Sequence, residues 1–318
     1  MKTLHENPKY SFHQTLALFK ALADETRLRL IQIFEFGPFS VGDLVNILEM
    51  GQSRISRHLK ILHDAQVLTC YRQDGFTFYH LNPAAPQLVQ KVIQSFMMES
   101  EKLDLDQLSL CQHIEERKQN KAQIFNQMAD RWEDIRSQYR VSQKANKRII
   151  KLVEDHDFVI DLGCGTGSLL MSLANRKGRY LGVDISPRMI QRAQSNLKNL
   201  QSSLDIQFKV GDIEKIHLPT KSASAVIASM VLHHLPDPEV LFTRAYQWLK
   251  KGGRIILHDF QEHGNQTYQK LFDHLWLGFS RDQLQHWMEK SGFHWKKYYS
   301  FPSQGGEDTF VAYGIKPK

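Results

Sequence analysis

No apolar run in the 318 residues approaches the roughly 18–20 needed to cross a bilayer, which excludes a membrane-spanning helix. The first residues, MKTLHENPKYSFH, lack the apolar core of a secretory signal, so a cytoplasmic location is expected. Cysteine is scarce: Cys70, Cys111 and Cys164 are odd in number and far apart, which argues against a disulfide framework and for a reducing compartment. Internal repeats and low-complexity stretches are missing too. Nor is there a block of one charge sign. The net charge is +7, yet Lys plus Arg against Asp plus Glu runs 10 to 8 over residues 1–98, 11 to 9 over 99–151 and 20 to 17 over 152–318. An excess spread so thinly means that any nucleic-acid claim has to rest on local clustering.

What is present is an ordinary globular composition, 42% hydrophobic and 24% charged, long enough for two domains each with its own core. From Phe12 to about residue 100 the apolar spacing is mostly helical, with Phe12, Leu16 and Phe19 on one face. Gly37-Pro38 ends the first helical run. SVGDLVNILEM then opens with Ser40 and Asp43 in capping-box spacing, and Gly51 interrupts before a second short helix near Ser53. Two short helices joined by a Gly-containing turn read as helix-turn-helix. VLTCYRQDGFTFYHL alternates and turns at Asp74-Gly75, a β-hairpin signal. PQLVQKVIQSFMM reads as a further helix, and the charged segment after it, free of Gly and Pro, as a helical connector. The expected domains are 1–98, a connector and lid over 99–150, and 151–318.

From His156 onward strands alternate with helices, which implies parallel βαβ units; two closing strands, GFHWKKYYSFP and DTFVAYGIK, suggest an antiparallel hairpin. VIDLGCGTG places Gly163, Gly165 and Gly167 between a strand and a helix, where amides are exposed and a ligand can approach the backbone closely. The dinucleotide fingerprint is G-x-G-x-x-G; here the third glycine comes one position early, and no G-K-[ST] follows. Asp161 precedes the loop, placed to orient its amides or to meet an ammonium. Asp184 ends the next strand about 20 residues on, a place from which a carboxylate accepts bonds from ribose hydroxyls. Asp212 ends the third strand beside Ile213, an acceptor next to an apolar wall.

DFVIDLGCGTGSLL, LGVDISPRMI, KVGDIEKIHLP, VIASMVLHHLPDP and LKKGGRIILHDF resemble, in order and spacing, the successive motifs of class I S-adenosylmethionine-dependent methyltransferases, over roughly residues 120–318. The resemblance implies a Rossmann-like α/β domain. It also implies that the glycine loop holds the methionine part of the cofactor, Asp184 the ribose, and Asp212 with Ile213 the adenine. Ile185, Met189 and Ser229 complete the expected cofactor set. A sulfonium methyl is already activated, so the protein has mainly to align the acceptor and exclude water. His233 and His234 follow the fourth strand and Asp259 ends the fifth, so these three are the candidate catalytic groups; the His pair reads more readily as a helix-start turn packed on the core. His258 is expected to point into packing. IFNQMADRWEDIRSQY resembles the helix that closes over the cofactor in small-molecule methyltransferases, with Met128, Trp132 and Tyr139 as lid or as ordinary packing. Arsenic methylation, which needs several thiolates near the site, is not expected.

In the N-terminal half a helical wheel from Ser53 to His63 gathers Ile55, Leu59 and Leu62 on one face and basic residues on the other. Such a helix fits the major groove, with a wing carrying Arg72 and Gln73 against flanking backbone, or is simply a solvated face. LFKALADETRLRLIQIF followed by FSVGDLVNILEMGQSRISRHLKILHDAQVLTCYRQDGFTFYHLN resembles the winged-helix domain of ArsR/SmtB-type transcriptional regulators over residues 12–82. The resemblance implies DNA-facing Gln52, Ser53, Arg54, Ser56, Arg57, His58 and Lys60. It also implies a homodimer formed through the first and last helices, near Phe12–Phe19 and Leu88–Met98. The cysteine pair and the histidine set of the metal-sensing members are missing, so no metal site is expected, and Cys111 with His113 reads as connector surface. The expected whole is a DNA-binding regulator of a double-stranded operator fused to a domain that methylates a small molecule. Two alternatives are a non-catalytic sensor of S-adenosylmethionine or S-adenosylhomocysteine, and an enzyme whose winged helix serves only dimerisation.

Overall fold

The computed structural model describes residues 11–73, 76–82, 85, 89, 101–134, 143–153, 157–173, 178–200, 205–265, 274–303 and 305–318. They divide into two compact units, Met1–Glu116 and Arg117–Lys318. The boundary falls inside the expected connector. The Asp74-Gly75 turn, the expected last dimerisation helix beyond Val89, and Tyr139 lie outside the described residues.

In the first unit the run that reads as one helix is two, α1 (Phe12–Leu22) and α2 (Glu25–Phe34). The break comes from Asp24, whose extended backbone lets its carboxylate accept from Arg27 N and cap α2. Strand β1 (Phe39–Ser40) leads into α3 (Val41–Leu48). Its start is a reciprocal capping box: Ser40 N donates to Asp43 Oδ2 (2.7 Å) and Asp43 N to Ser40 Oγ (3.2 Å). Glu49 in the left-handed region and Gly51 at the next N-cap turn the chain into α4 (Gln52–Asp64). The hairpin of β2 (Leu68–Gln73) and β3 (Phe76–Leu81) pairs β3 with β1. Leu30, Phe39, Leu44, Ile55, Leu59 and Leu62 are fully excluded from water and lock these elements around one core.

Helix α5 (Glu101–Met128) contributes to both units and continues into a 3-10 turn, Ala129–Arg131. Its first half is tied to α2 by Arg29, whose Nε and Nη2 donate to Asp106 Oδ2 and Oδ1, both at 2.6 Å. His113 is not surface connector: its Nε2 lies 3.0 Å from Asp43 Oδ1, with both side chains only 18% exposed.

After α6 (Gln143–Leu152), the second unit builds a seven-stranded sheet from its described residues. The strands are β4 (Phe158–Leu162), β5 (Arg179–Asp184), β6 (Asp205–Val210), β7 (Ala223–Ser229), β8 (Leu249–Phe260), β9 (His294–Phe301) and β10 (Thr309–Ile315), in the order β6-β5-β4-β7-β8-β10-β9. The pairs from β6 to β8 are parallel and β10 is antiparallel to both β8 and β9, as the alternation and the closing hairpin predict. Alternate residues of β4 face opposite layers: Val159 packs with Ile227 and Ile256, Ile160 and Leu162 with Val226 and Leu257. Burial on both faces is why these strands read as continuous apolar runs. From β4 the chain winds outward to β5 and β6 and then crosses back to β7 on the other side of β4, so the winding reverses between β4 and β7. That opens a crevice at the carboxyl ends of the two strands, where open α/β sheets bind ligands.

Candidate functional site

The crevice holds a cleft of about 100 Å³, open to solvent. Its floor is the loop after β4. Gly163 (φ +66°) sits so close to Val231 that a Cβ would lie 2.5 Å from Val231 Cγ2, and at Gly165 (φ +52°) a Cβ would lie 3.3 Å from Trp132 Nε1. Both positions combine a left-handed backbone with close approach, so each needs glycine. Gly165 N donates to Asp184 Oδ2 (2.8 Å) and Ser186 N to Asp184 Oδ1 (2.9 Å). The Asp184 carboxylate thus braces the loop and still has acceptor sites on both oxygens. Ile185 and Met189, on the turn and first residues of α7 (Pro187–Asn199), supply an apolar wall beside it. Asp212 and Ile213 follow β6; Asp212 Oδ1 accepts from Glu214 N (2.9 Å) and its Oδ2 from Lys118 Nζ (3.3 Å), while Lys118 also pairs with Glu214.

The far wall comes from α5 and the turn after it. Lys118, Lys121 and Phe125 project from one helical face, joined by Trp132. Phe125 meets the rings of Trp132 (5.8 Å) and His234 (5.1 Å) edge-on, and Lys121 Nζ donates to His234 O (3.0 Å). Hydrogen bonds hold this wall to the loops opposite: Thr166 Oγ1 donates to Glu133 Oε1 and Ser186 Oγ to Asn126 Oδ1, both at 2.7 Å. The expected lid stretch thus places Phe125 and Trp132 in the cleft wall, and the charged part of the connector before it adds Lys118 and Lys121.

Electrostatically the floor is short of counter-charge. Burial, and next the Asp184 charge, push the Asp161 carboxyl up to about 8. Burial likewise raises Asp184, against the backbone N–H donors of Ser186, Gly165 and Ile185 that favour its ionised form. Two buried acids side by side make a place where a cationic group is welcome. Asp161 itself is 2% exposed, on the same face of β4 as Val159, and does not line the cleft. Gly167 also stays outside it, packed under Phe208 and Met171, as does Ser229, whose hydroxyl lies 2.9 Å from His258 Nδ1. His258 is buried, and burial drops its ring to about 4.

Of the candidate catalytic groups, His234 reaches the cleft wall; His233 and Asp259 are 1% and 0% exposed and do not. They engage each other, His233 Nδ1 to Asp259 Oδ1 at 2.6 Å, while Phe260 N donates to the same oxygen (2.8 Å).

In the first unit α4 presents Gln52, Ser53, Arg54, Ser56, Arg57 and Lys60 to solvent, and Arg72 of β2 is exposed too. His58 corrects the sequence expectation. It falls on the inner side of the helix, 9% exposed, with Nδ1 3.5 Å from Asp24 Oδ1. Its position between Ile55 and Leu62 puts it on the apolar stripe.

A family model described as a methyltransferase domain matches residues 154–301, and one described as a bacterial regulatory protein of the arsR family matches residues 24–69. The carboxy-S-adenosyl-L-methionine synthase of Shewanella woodyi is 30% identical over 166 residues, 50% of this chain and 67% of the relative. The chain belongs to the class I S-adenosylmethionine-dependent methyltransferase family through its second unit, and carries an ArsR-family domain in its first. The enzyme of the same description from Shewanella sp. strain ANA-3 is 31% identical over 137 residues, 41% of this chain and 56% of the relative. The chain thus spans little more than half the length of such curated relatives. A chain of the complex between the Haloferax volcanii Trm112 methyltransferase activator and a methyltransferase shares the fold, with a TM-score of 0.52 and 22% identity over 61% of this chain and 98% of that one. In this methyltransferase-family domain the cleft brings together Gly163, Gly165, Asp184, Ile185, Met189, Asp212 and Ile213 from the predicted set. It adds Lys118 and Lys121, which no local motif announced, and Phe125, Glu214 and Val231, which lie inside the quoted motifs but were not singled out.

Proposed function

We propose that the cleft binds S-adenosylmethionine and passes its methyl group to a small-molecule acceptor, and that the ArsR-family unit binds an operator in double-stranded DNA as a homodimer. The observation that carries the reading is the convergence, in one cleft, of a glycine floor, the Asp184 and Asp212 carboxylates and apolar Ile185, Met189 and Ile213. These residues fit the cofactor: Asp184 offers two oxygens to a ribose diol, Asp212 an acceptor beside the Ile213 wall for an adenine, and glycines 163 and 165 leave room for the amino-acid end. The Asp184 carboxylate at the cleft, with no cationic side chain paired to it among the described residues, favours its positive charges.

Bound cofactor supplies an already activated methyl. The residues of the chain then have to place the acceptor in line and keep water out. Phe125, Trp132, Val231, Leu235 and Pro236 form the dry part of the wall. Hydrogen bonds from Thr166 and Ser186 to Glu133 and Asn126 keep the Phe125–Trp132 wall over the loop. For the homodimer, Phe12, Leu16 and Phe19 are 77%, 41% and 53% exposed on one face of α1, apolar surface of the kind an interface covers.

Incubating the protein with methyl-labelled cofactor and a metabolite extract tests the transfer. Label appearing in a small molecule supports it. Absence of product at saturating cofactor, with the cofactor bound, would leave a sensor of S-adenosylmethionine or S-adenosylhomocysteine in its place.

A further inference from the structure

Three imidazoles from two distant stretches meet beside the cleft. His233 and His234 lie in the 3-10 turn Leu232–His234 after β7; His274 comes forty residues later. The backbone fixes the meeting, because Leu275 N and Trp276 N both donate to His233 O (2.8 and 3.3 Å). One ring nitrogen from each histidine lies within 4.8 Å of the other two. The ring centroids are 3.9 Å (His233–His274), 4.2 Å (His233–His234) and 5.1 Å (His234–His274) apart. Imidazole nitrogens on a tetrahedral ion stand about 3.3 Å apart, given metal–nitrogen bonds of about 2.0–2.1 Å. An ion at the centre would therefore draw the nitrogens in by no more than about 1.5 Å.

We propose that His233, His234 and His274 bind a divalent first-row transition ion of the zinc class, with Asp259 supporting His233 from behind. Asp259 Oδ1 at 2.6 Å from His233 Nδ1 is the carboxylate–histidine arrangement that fixes a ligand's tautomer, keeping the proton on Nδ1 and leaving Nε2 for the ion. Asp259 is fully buried, and a buried carboxylate needs a cation or proton close by; an ion beyond the imidazole supplies that charge. An all-nitrogen ligand set suits zinc, cobalt, nickel or copper over magnesium or calcium. Three protein ligands leave a further coordination position, the pattern of sites that act on a bound molecule rather than brace a fold. His234 belongs to the cleft wall, so the ion would lie within one side chain of the proposed acceptor space.

The test uses the full chain, stripped by chelation and titrated with Co(II) under absorption spectroscopy, then with Zn(II) in competition. One Co(II) per chain with the visible bands of a low-coordinate nitrogen site, displaced by Zn(II), is expected. His274→Gln should weaken Co(II) at least tenfold, and Asp259→Asn about 10- to 100-fold, the effect of losing a partner behind a ligand. S-adenosylhomocysteine affinity of His274→Gln, measured by calorimetry, should stay at the wild-type value and reports its folding. X-ray absorption of the zinc-loaded wild type, which needs no variant, should show three imidazole scatterers. Wild type that takes up no metal above a chelator-treated blank, a His274→Gln titration identical to wild type, or a zinc shell without imidazole would each overturn the assignment. None of these readouts depends on methyl transfer, so the metal site and the proposed activity stand or fall separately.

Discussion

Asp161 shows how one buried carboxyl couples the fold to pH. Its proton is retained up to about pH 8 because burial, seconded by Asp184, disfavours the anion. Between the ordinary carboxylate range and about pH 8 the native state therefore binds more protons than the unfolded chain, and stability falls as pH rises through that window. Asp161→Asn cannot ionise and should lose this part of the decline. Thermal unfolding from pH 5 to 8 checks it: a flatter profile for the variant is expected, and parallel profiles would contradict the assignment. The same residue shows how far the sequence could be read. The acid before the glycine loop was visible in VIDLG, but not that its side chain turns to the Val159 face of β4 and away from the cleft. His58 is a like case, polar by type and inward by helical phase.

At the scale of elements, α4 and α5 were legible to different degrees. The α4 stripe is a local 3.6-residue pattern, so Ile55, Leu59 and Leu62 inside and Arg54, Arg57 and Lys60 outside could be assigned without tertiary information. Exchanging Arg57 and Lys60 for alanine should weaken operator binding and lower the slope of log affinity on log salt by about two, one for each phosphate left without its cation. Binding assays across a salt series measure both quantities; unchanged affinity and slope would remove α4 from the interface. Helix α5 carries no such pattern, since its partners lie far away in sequence: Asp106 pairs with Arg29 across 77 residues and Lys118 with Asp212 across 94. Spacing rules do not reach that distance. The two-pronged Arg29–Asp106 pair, with side chains 11% and 10% exposed, predicts that Asp106→Ala destabilises the first unit by about 2 kcal/mol, because a guanidinium is left half-buried without its acceptor. Urea unfolding followed in that unit tests the figure, and a change below about 0.5 kcal/mol would show the pair to be incidental.

For the whole molecule, the sequence motifs foretold the kinds of unit and the mainly parallel sheet, because each strand-end acid and each turn glycine is a local feature. The gathering of His233, His234 and His274, and the contribution of Lys118 and Lys121 to the cleft, belong to chain topology and could be seen only in three dimensions. The central claim is that the glycine floor and Asp184 form a seat for an adenosyl sulfonium and its demethylated counterpart. Calorimetric titration of the full chain with S-adenosylmethionine and S-adenosylhomocysteine, in wild type and Asp184→Ala, addresses it directly. One site per chain is predicted, with affinity in the variant lower by about 10- to 100-fold, the value of charge-assisted hydrogen bonds from a diol. No binding heat in the wild type, or equal affinity in the two proteins, would contradict it.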